Sequence, residues 1–197
     1  EARAGLESIK SKLVEEVIPN LIPLGTLVRV LSHLLREGVP IRDLRTILET
    51  IADHAATTKD ADILTEVARQ ALGRTITKQY LAPDGSLPII GLDPRLDRTL
   101  ADQANAAGQG TQWVPDPLVA QKLLTALKAA AERMVGRGHQ PVILCSPSLR
   151  RHLRKLTDRI LHSVPILGLN EVESVTRLQA VETVRLDLEV GETRSLA

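Results

Sequence analysis

The sequence contains no phenylalanine and only one tryptophan, one tyrosine, one methionine and one cysteine among 197 residues. Without aromatics the core has to be built from Leu, Ile, Val and Ala, which favours helix packing and small α/β layers. The same shortage removes the stacking platforms on which single-stranded nucleic acids are bound. The formal net charge of +1 is too small for a strong electrostatic footprint on DNA or RNA. A lone cysteine excludes an internal disulfide and a multi-cysteine metal site, and it fits a reducing compartment. Long apolar runs are missing too. The most apolar stretch, residues 17–35, is interrupted by Pro19, Asn20, Pro23 and Arg29 and makes a poor membrane span. No signal-peptide pattern is visible, and the chain begins at Glu1 without an initiator Met. A fragment of a longer protein is therefore expected, with any membrane anchor elsewhere.

What is present is periodic. Leu6, Ile9, Leu13 and Val17 recur at helical spacing up to Pro19, so residues 1–22 are expected to be the tail of a preceding subdomain. A helix carrying Leu27, Val30, Leu31, Leu34 and Leu35 inward is predicted next, with Gly38 as its C-terminal cap. Pro40 is placed near the start of the following helix, and Ile41, Leu44, Ile47, Leu48 and Ile51 form its apolar stripe. Asp43 falls in its first turn, while Arg45 and Glu49 make an i,i+4 pair. A third helix is expected from about Asp62, with Ile63, Leu64, Val67, Ala68, Ala71 and Leu72 inside. These three helices define a helical subdomain, residues 23–79.

From Tyr80 the character changes. Asp84-Gly85 beside the apolar run Leu87 to Leu92 predicts a hairpin. Asp93-Pro94, Asp116-Pro117 and Ser146-Pro147 each read as a capping residue followed by proline at a helix start. Between the first two, Ala104 to Val114 with Gly108 and Gly110 reads as a surface loop. The helix from Pro117 is expected to bury Leu118, Leu123, Leu124, Leu127 and Met134. Residues 142–145 form a buried strand, Leu149, Leu153, Leu156 and Ile160 stripe the next helix, and residues 164–169 form a second strand. Strand, helix, strand in so short a span is a βαβ unit with parallel strands and a right-handed crossover. Ala180 to Glu189 alternates as a final edge strand. The predicted class is α+β: a three-helix subdomain, then a small α/β subdomain over residues 80–190, with residues 191–197 a disordered tail.

Little in the sequence looks catalytic, and no enzyme activity or cofactor is expected. The sharpest exception is Cys145-Ser-Pro-Ser-Leu-Arg-Arg151, where a cysteine ends a strand and an arginine follows six positions on. Cysteine phosphatases hold phosphate with that spacing, using a thiolate at a helix N-terminus. Pro147 removes one amide from such a cradle, no glycine lets it curl, and no general acid stands near in sequence. Cys145 is therefore expected to close a core strand, with the phosphatase loop as the alternative. Arg150, Arg151, Arg154, Lys155 and Arg159 are placed on the outward face of their helix, open to an acidic partner or, as a third possibility, RNA. His33, His54, His139, His152 and His162 show no metal-ligand spacing. Gly108-Gln-Gly110 and Gly136-Arg-Gly138 lack the strand, glycine pattern and helix of a phosphate loop, and no G-x-S-x-G elbow occurs.

Several long segments resemble one family. Leu34-Leu-Arg-Glu-Gly-Val-Pro-Ile-Arg-Asp-Leu-Arg-Thr-Ile-Leu-Glu-Thr-Ile-Ala-Asp-His-Ala is similar to the cytosolic region of the FlhA family, the export-gate membrane proteins of bacterial flagella and injectisomes. So are Leu64-Thr-Glu-Val-Ala-Arg-Gln-Ala-Leu-Gly-Arg-Thr-Ile, Ile90-Gly-Leu-Asp-Pro, Pro141-Val-Ile-Leu-Cys-Ser-Pro-Ser-Leu-Arg-Arg and Val164-Pro-Ile-Leu-Gly-Leu-Asn-Glu, in the family's order. The resemblance covers roughly residues 13–175 and implies the end of the first cytosolic subdomain, the helical third and the α/β fourth. It further implies a docking and ring-forming module at the cytoplasmic face of the bacterial inner membrane. Its partners would be chaperone–cargo complexes and other export-apparatus proteins, in a nonameric ring, with the membrane reached only through a missing N-terminal domain. The family's chaperone-binding dimple is built mainly by the first two subdomains, so only Leu24 and Thr26 would fall near it. For contacts with partners, Arg42, Asp43, Arg45 and Glu49 are the candidates in the helical part, joined by Arg150, Arg151 and Arg154 in the α/β part. No catalytic or metal-ligating residue is expected.

Overall fold

The computed structural model describes residue 15 and residues 17–107 and 113–186. Leu6, Ile9 and Leu13 of the predicted first helix lie outside the described residues, as do Gly108 and Gly110, the last part of the predicted edge strand and the tail 191–197. The chain divides into two compact units: Glu1–Leu87 with Leu169–Arg177, and Pro88–Gly168 with Leu178–Ala197.

The first unit is helical. Helix α1 (Leu24–Arg36) buries Thr26, Leu27, Val30 and Leu34. Leu35, expected inside, is 56% exposed, because it falls to one side of the stripe formed by Leu27, Val30 and Leu34. Gly38 ends the helix with φ 71°; its N–H donates to Leu35 O at 3.0 Å and the Val39 N–H to Leu34 O at 2.9 Å, a left-handed cap that a side chain would strain. Helix α2 (Leu44–His54) begins later than Pro40 predicts. Asp43 is its N-cap rather than a first-turn residue: its carboxylate accepts from the Thr46 N–H at 3.2 Å and the Thr46 hydroxyl at 2.7 Å. Helix α3 (Ala61–Ala71) is capped by Asp60, which accepts from the amides of Asp62 and Ile63, and it packs against both α1 and α2. Leu34, Ile47, Leu48, Ile51 and Leu64 are fully buried, each contributing about 1.5–3 kcal/mol by leaving water. Within α3 the expected inward Ile63 and Val67 are half-buried and Ala71 is exposed, while Arg69 is buried. A further short helix, α4 (Gly73–Lys78), follows directly.

Asp84-Gly85 is a turn, with Gly85 at φ 76°, but no hairpin follows. The Ala82 N–H donates to Ser86 O and the Gly85 N–H to Ala82 O, so the turn closes on itself. The strand after it, β1 (Ser86–Leu92), takes its partners from distant sequence.

In the second unit, Asp93 caps helix α5 (Pro94–Ala106) by accepting from the Arg95 N–H, so Ala104 is buried in a helix rather than opening a loop. Asp116 caps helix α6 (Pro117–Gly136) by accepting from the amides of Leu118 and Val119. Proline at the first helical position costs nothing there, since that N–H has no helical partner. Leu123, Leu127 and Met134 are fully buried, whereas Leu118 is 58% exposed, one residue into the first turn and off the buried stripe. Strand β2 (Ile143–Cys145) leads to helix α7 (Pro147–Thr157) and strand β3 (Ile166–Gly168). Ile160 lies beyond the end of α7 and is 51% exposed. A 3₁₀ turn (Leu169–Glu171) precedes strand β4 (Arg177–Val184).

The sheet order is β3-β2-β1-β4. β1 and β2 are parallel, with Ile90 opposite Ile143, and β2 and β3 are parallel, with Cys145 opposite Gly168. This is the βαβ unit the spacing predicts. Both faces of β2 and β3 are buried, as parallel strands with covered faces require. β4 is an edge strand, its first four residues exposed. The core of the unit joins Ile90, Leu100, Leu123, Leu127, Met134, Ile143, Cys145, Leu149 and Leu153.

Candidate docking surface

Helix α1 is apolar on two sides. Flanking its buried stripe stand Leu24 (59% exposed), Val28 (53%) and Leu35 (56%), with Leu31 half-buried between them. Positions 24, 28, 31 and 35 follow the 4-3-4 spacing that keeps residues in one line along a helix. A solvent-facing row of large aliphatic side chains is a liability unless something covers it, and aligned patches of this kind mark contact surfaces. Sequence periodicity had placed Leu31 and Leu35 on the inner face. The spacing of Leu24, Val28, Leu31 and Leu35 carried the signal for a second face. Thr26 does not belong to it: Thr26 is 3% exposed and its hydroxyl accepts from Arg29 at 3.4 Å.

A polar face lies at α2. Arg42 and Asp43 are exposed but precede the helix rather than sit on it, and Asp43 spends its carboxylate on the cap. Arg45 and Glu49 pair at 2.7 Å, both about half exposed; the hydrogen bond to Glu49 raises the Arg45 guanidinium above its ordinary value. Such a solvent-screened pair adds little to stability, so its charges are available to a partner at little cost.

The basic helix α7 differs from expectation. Arg150 and Arg154 do not project outward; they are 2% and 8% exposed. Arg154 donates to Val164 O at 3.1 Å, Leu161 O at 3.4 Å and Asp158 Oδ1 at 3.4 Å, and Arg150 donates to Ile166 O at 3.5 Å. Their guanidinium groups donate to main-chain carbonyls of the segment that leads into β3 and of its first residue. Arg151 is half-buried and donates to His152 Nε2 at 3.1 Å, and the His152 ring meets Trp113 edge-on, centroids 6.1 Å apart. Only Lys155 and Arg159 are left exposed on this helix and its end. Cys145 is 3% exposed within the apolar core, and its Sγ faces Leu167 O at 3.9 Å. A thiol so placed is out of reach of a phosphate ester, and Arg151 turns to His152 instead of closing a cradle. Among the described residues no three His, Cys, Asp or Glu side chains form a group that could hold a metal ion, and no helix is long and apolar enough to cross a membrane.

Sequence gave no hint of the most buried charge in the helical unit. Arg69 is 2% exposed and grips Glu171 with both arms, Nε to Oε1 at 2.6 Å and Nη2 to Oε2 at 3.0 Å; Nη1 reaches Glu37 at 3.2 Å. The partners are 102 residues apart, beyond any local pattern.

The architecture defines an α+β protein with a helical unit bearing an uncovered apolar helix face. The chain belongs to the FHIPEP family, whose model matches residues 3–177. Flagellar biosynthesis protein FlhA of Salmonella typhimurium is 39% identical over 173 residues, 88% of this chain and 24% of that protein. Among solved structures, nonameric EPEC SctV-C is similar with TM-score 0.78 at 28% identity, covering 91% of this chain and 53% of that one. CdsV of Chlamydia pneumoniae, solved in complex with CdsO, has TM-score 0.79 at 27% identity, covering 93% and 54%. The chain spans about a quarter of the length of the curated relatives it matches. The resemblance to export-gate proteins of flagella and type III secretion seen in the residues is thus met by family, relatives and fold.

Proposed function

We propose that this chain is a docking and ring-forming module of a bacterial flagellar or type III protein export gate. It works at the cytoplasmic face of the inner membrane, joined to the membrane through a separate part of its parent. It binds by surface complementarity, without cofactor, nucleic acid or covalent chemistry. Residues 23–79 and 80–190 act as successive subdomains, the first carrying the contact surface. Chaperone–cargo complexes and export-apparatus proteins are its partners.

The observation that carries this reading is the exposed row Leu24, Val28 and Leu35 on α1. Large aliphatic residues in line need a partner surface, and the fold neighbour SctV-C is nonameric. The exposed charges of Arg42, Arg45 and Glu49 supply orientation, as rim charges do in protein interfaces. The test is Val28→Asp with Leu35→Asp in the full-length parent, alongside Arg42→Glu with Arg45→Glu. Ring assembly followed by mass measurement, and export of cargo, should both be lost in the first variant and weakened in the second. Wild-type rings and wild-type export from the first variant would remove α1 as the contact.

A further inference from the structure

We propose that residues 169–177 form a releasable strap, held in the helical unit by polar contacts centred on the buried Glu171. The chain enters this unit after β3 and leaves it at Arg177. Along the segment Glu171 is the single buried side chain; Leu169, Asn170, Glu173, Ser174, Val175 and Arg177 are exposed. Val175 is 86% exposed. The strap therefore has little apolar anchorage, and its hold is polar: the buried two-armed Arg69–Glu171 pair, the Thr77 hydroxyl donating to Glu171 O at 3.1 Å, and two exposed ion pairs, Glu173 with Arg74 and Arg177 with Asp84. Asn170 adds an exposed contact to Gln70.

Two features make the hold reversible rather than permanent. Withdrawing one member of a buried ion pair is normally prohibitive, because the other is left as an uncompensated charge. Here Arg69 also bonds Glu37, 13% exposed, which belongs to the end of α1 and stays when the strap leaves. Glu171 itself returns to water. The second feature is Gly73. A Cβ there would lie 2.4 Å from Glu171 O, so the strap's backbone seats directly on α4 in a space that any side chain would fill.

The strap is tested by hydrogen exchange in the 197-residue chain. Glu171→Gln weakens the grip and Gly73→Ala blocks the seat without touching a charge. Each should speed amide exchange in 169–177 by at least about tenfold, the factor that losing one charge-assisted hydrogen bond corresponds to, while α1, α2 and α3 keep their protection. Glu37→Gln should act in the opposite direction, slowing exchange in the strap, because the buried Arg69 guanidinium would then lose the carboxylate that stays when the strap leaves. The strap idea fails if Glu171→Gln and Gly73→Ala leave 169–177 unchanged. It fails equally if they strip protection from α1 to α3 as well, or if Glu37→Gln speeds the strap as Glu171→Gln does.

Discussion

Replacing Arg154 by leucine separates a structural arginine from a surface one on the same stretch of chain. Leucine keeps much of the apolar stem's packing but removes the donors that reach Val164 O and Leu161 O. Both carbonyls belong to residues only 6% exposed, but Leu161 O keeps the Val164 N–H at 3.0 Å, so Val164 O is the one at stake. A hydrogen bond from a charged donor contributes about 1.5–3 kcal/mol, and a carbonyl left buried without one costs about 1–3 kcal/mol. The bond to Val164 at 3.1 Å is well formed, whereas that to Leu161 at 3.4 Å is long. The pair with Asp158, whose side chain is 47% exposed, adds at most about 0.5 kcal/mol. The charge itself returns some desolvation energy when removed, so the net loss is roughly 2–4 kcal/mol. Arg159→Ala, on an exposed residue, should stay within about 0.5 kcal/mol. Trp113, the sole tryptophan and 7% exposed in the α/β unit, reports that unit alone. Urea unfolding followed by its fluorescence should show a clearly lower midpoint for Arg154→Leu than for Arg159→Ala. Equal midpoints would refute the assignment of Arg154 to the carbonyls before β3.

Two further perturbations probe the helical unit. Asp43→Ala removes the cap on Thr46 and should destabilise α2 by about 1 kcal/mol, with Asp43→Asn nearly neutral; amide exchange in the first turn of α2 reads the difference. Burial pushes the Tyr80 phenol above its ordinary value, with Arg69 pulling the other way. A group whose folded pKa is raised contributes stability that is complete below its unfolded pKa, about 10, and is lost as pH rises through the folded pKa. Unfolding midpoints should therefore fall in alkaline solution, and Tyr80→Phe should flatten that slope. A slope unchanged by Tyr80→Phe would assign it to other groups.

Much of the architecture was legible in order and spacing. Aspartate before proline marked the starts of α5 and α6 because cap and first-turn geometry are local, set by residues within one turn. The parallel β2–α7–β3 unit followed from two short apolar runs around an amphipathic helix. The family resemblance was equally plain in the residues. The predicted hairpin failed for the opposite reason: Asp84-Gly85 specifies a turn, but whether two strands meet there depends on partners far away, and β1 pairs with β2 and β4.

The sequence on its own determined where helices α5, α6 and α7 begin, which residues are apolar, and which family the chain resembles, since each depends on neighbours within a few positions. Tertiary structure alone decided which side of each helix is inside. Periodicity shows that α1 carries apolar rows; it does not show that the row of Leu24, Val28 and Leu35 is the one left in solvent. Nor does it separate Arg154, turned in to satisfy carbonyls, from Arg159, turned out. Arg69 and Glu171 make the same point across 102 residues: a buried charge is set by what folds over it, and no local pattern encodes that.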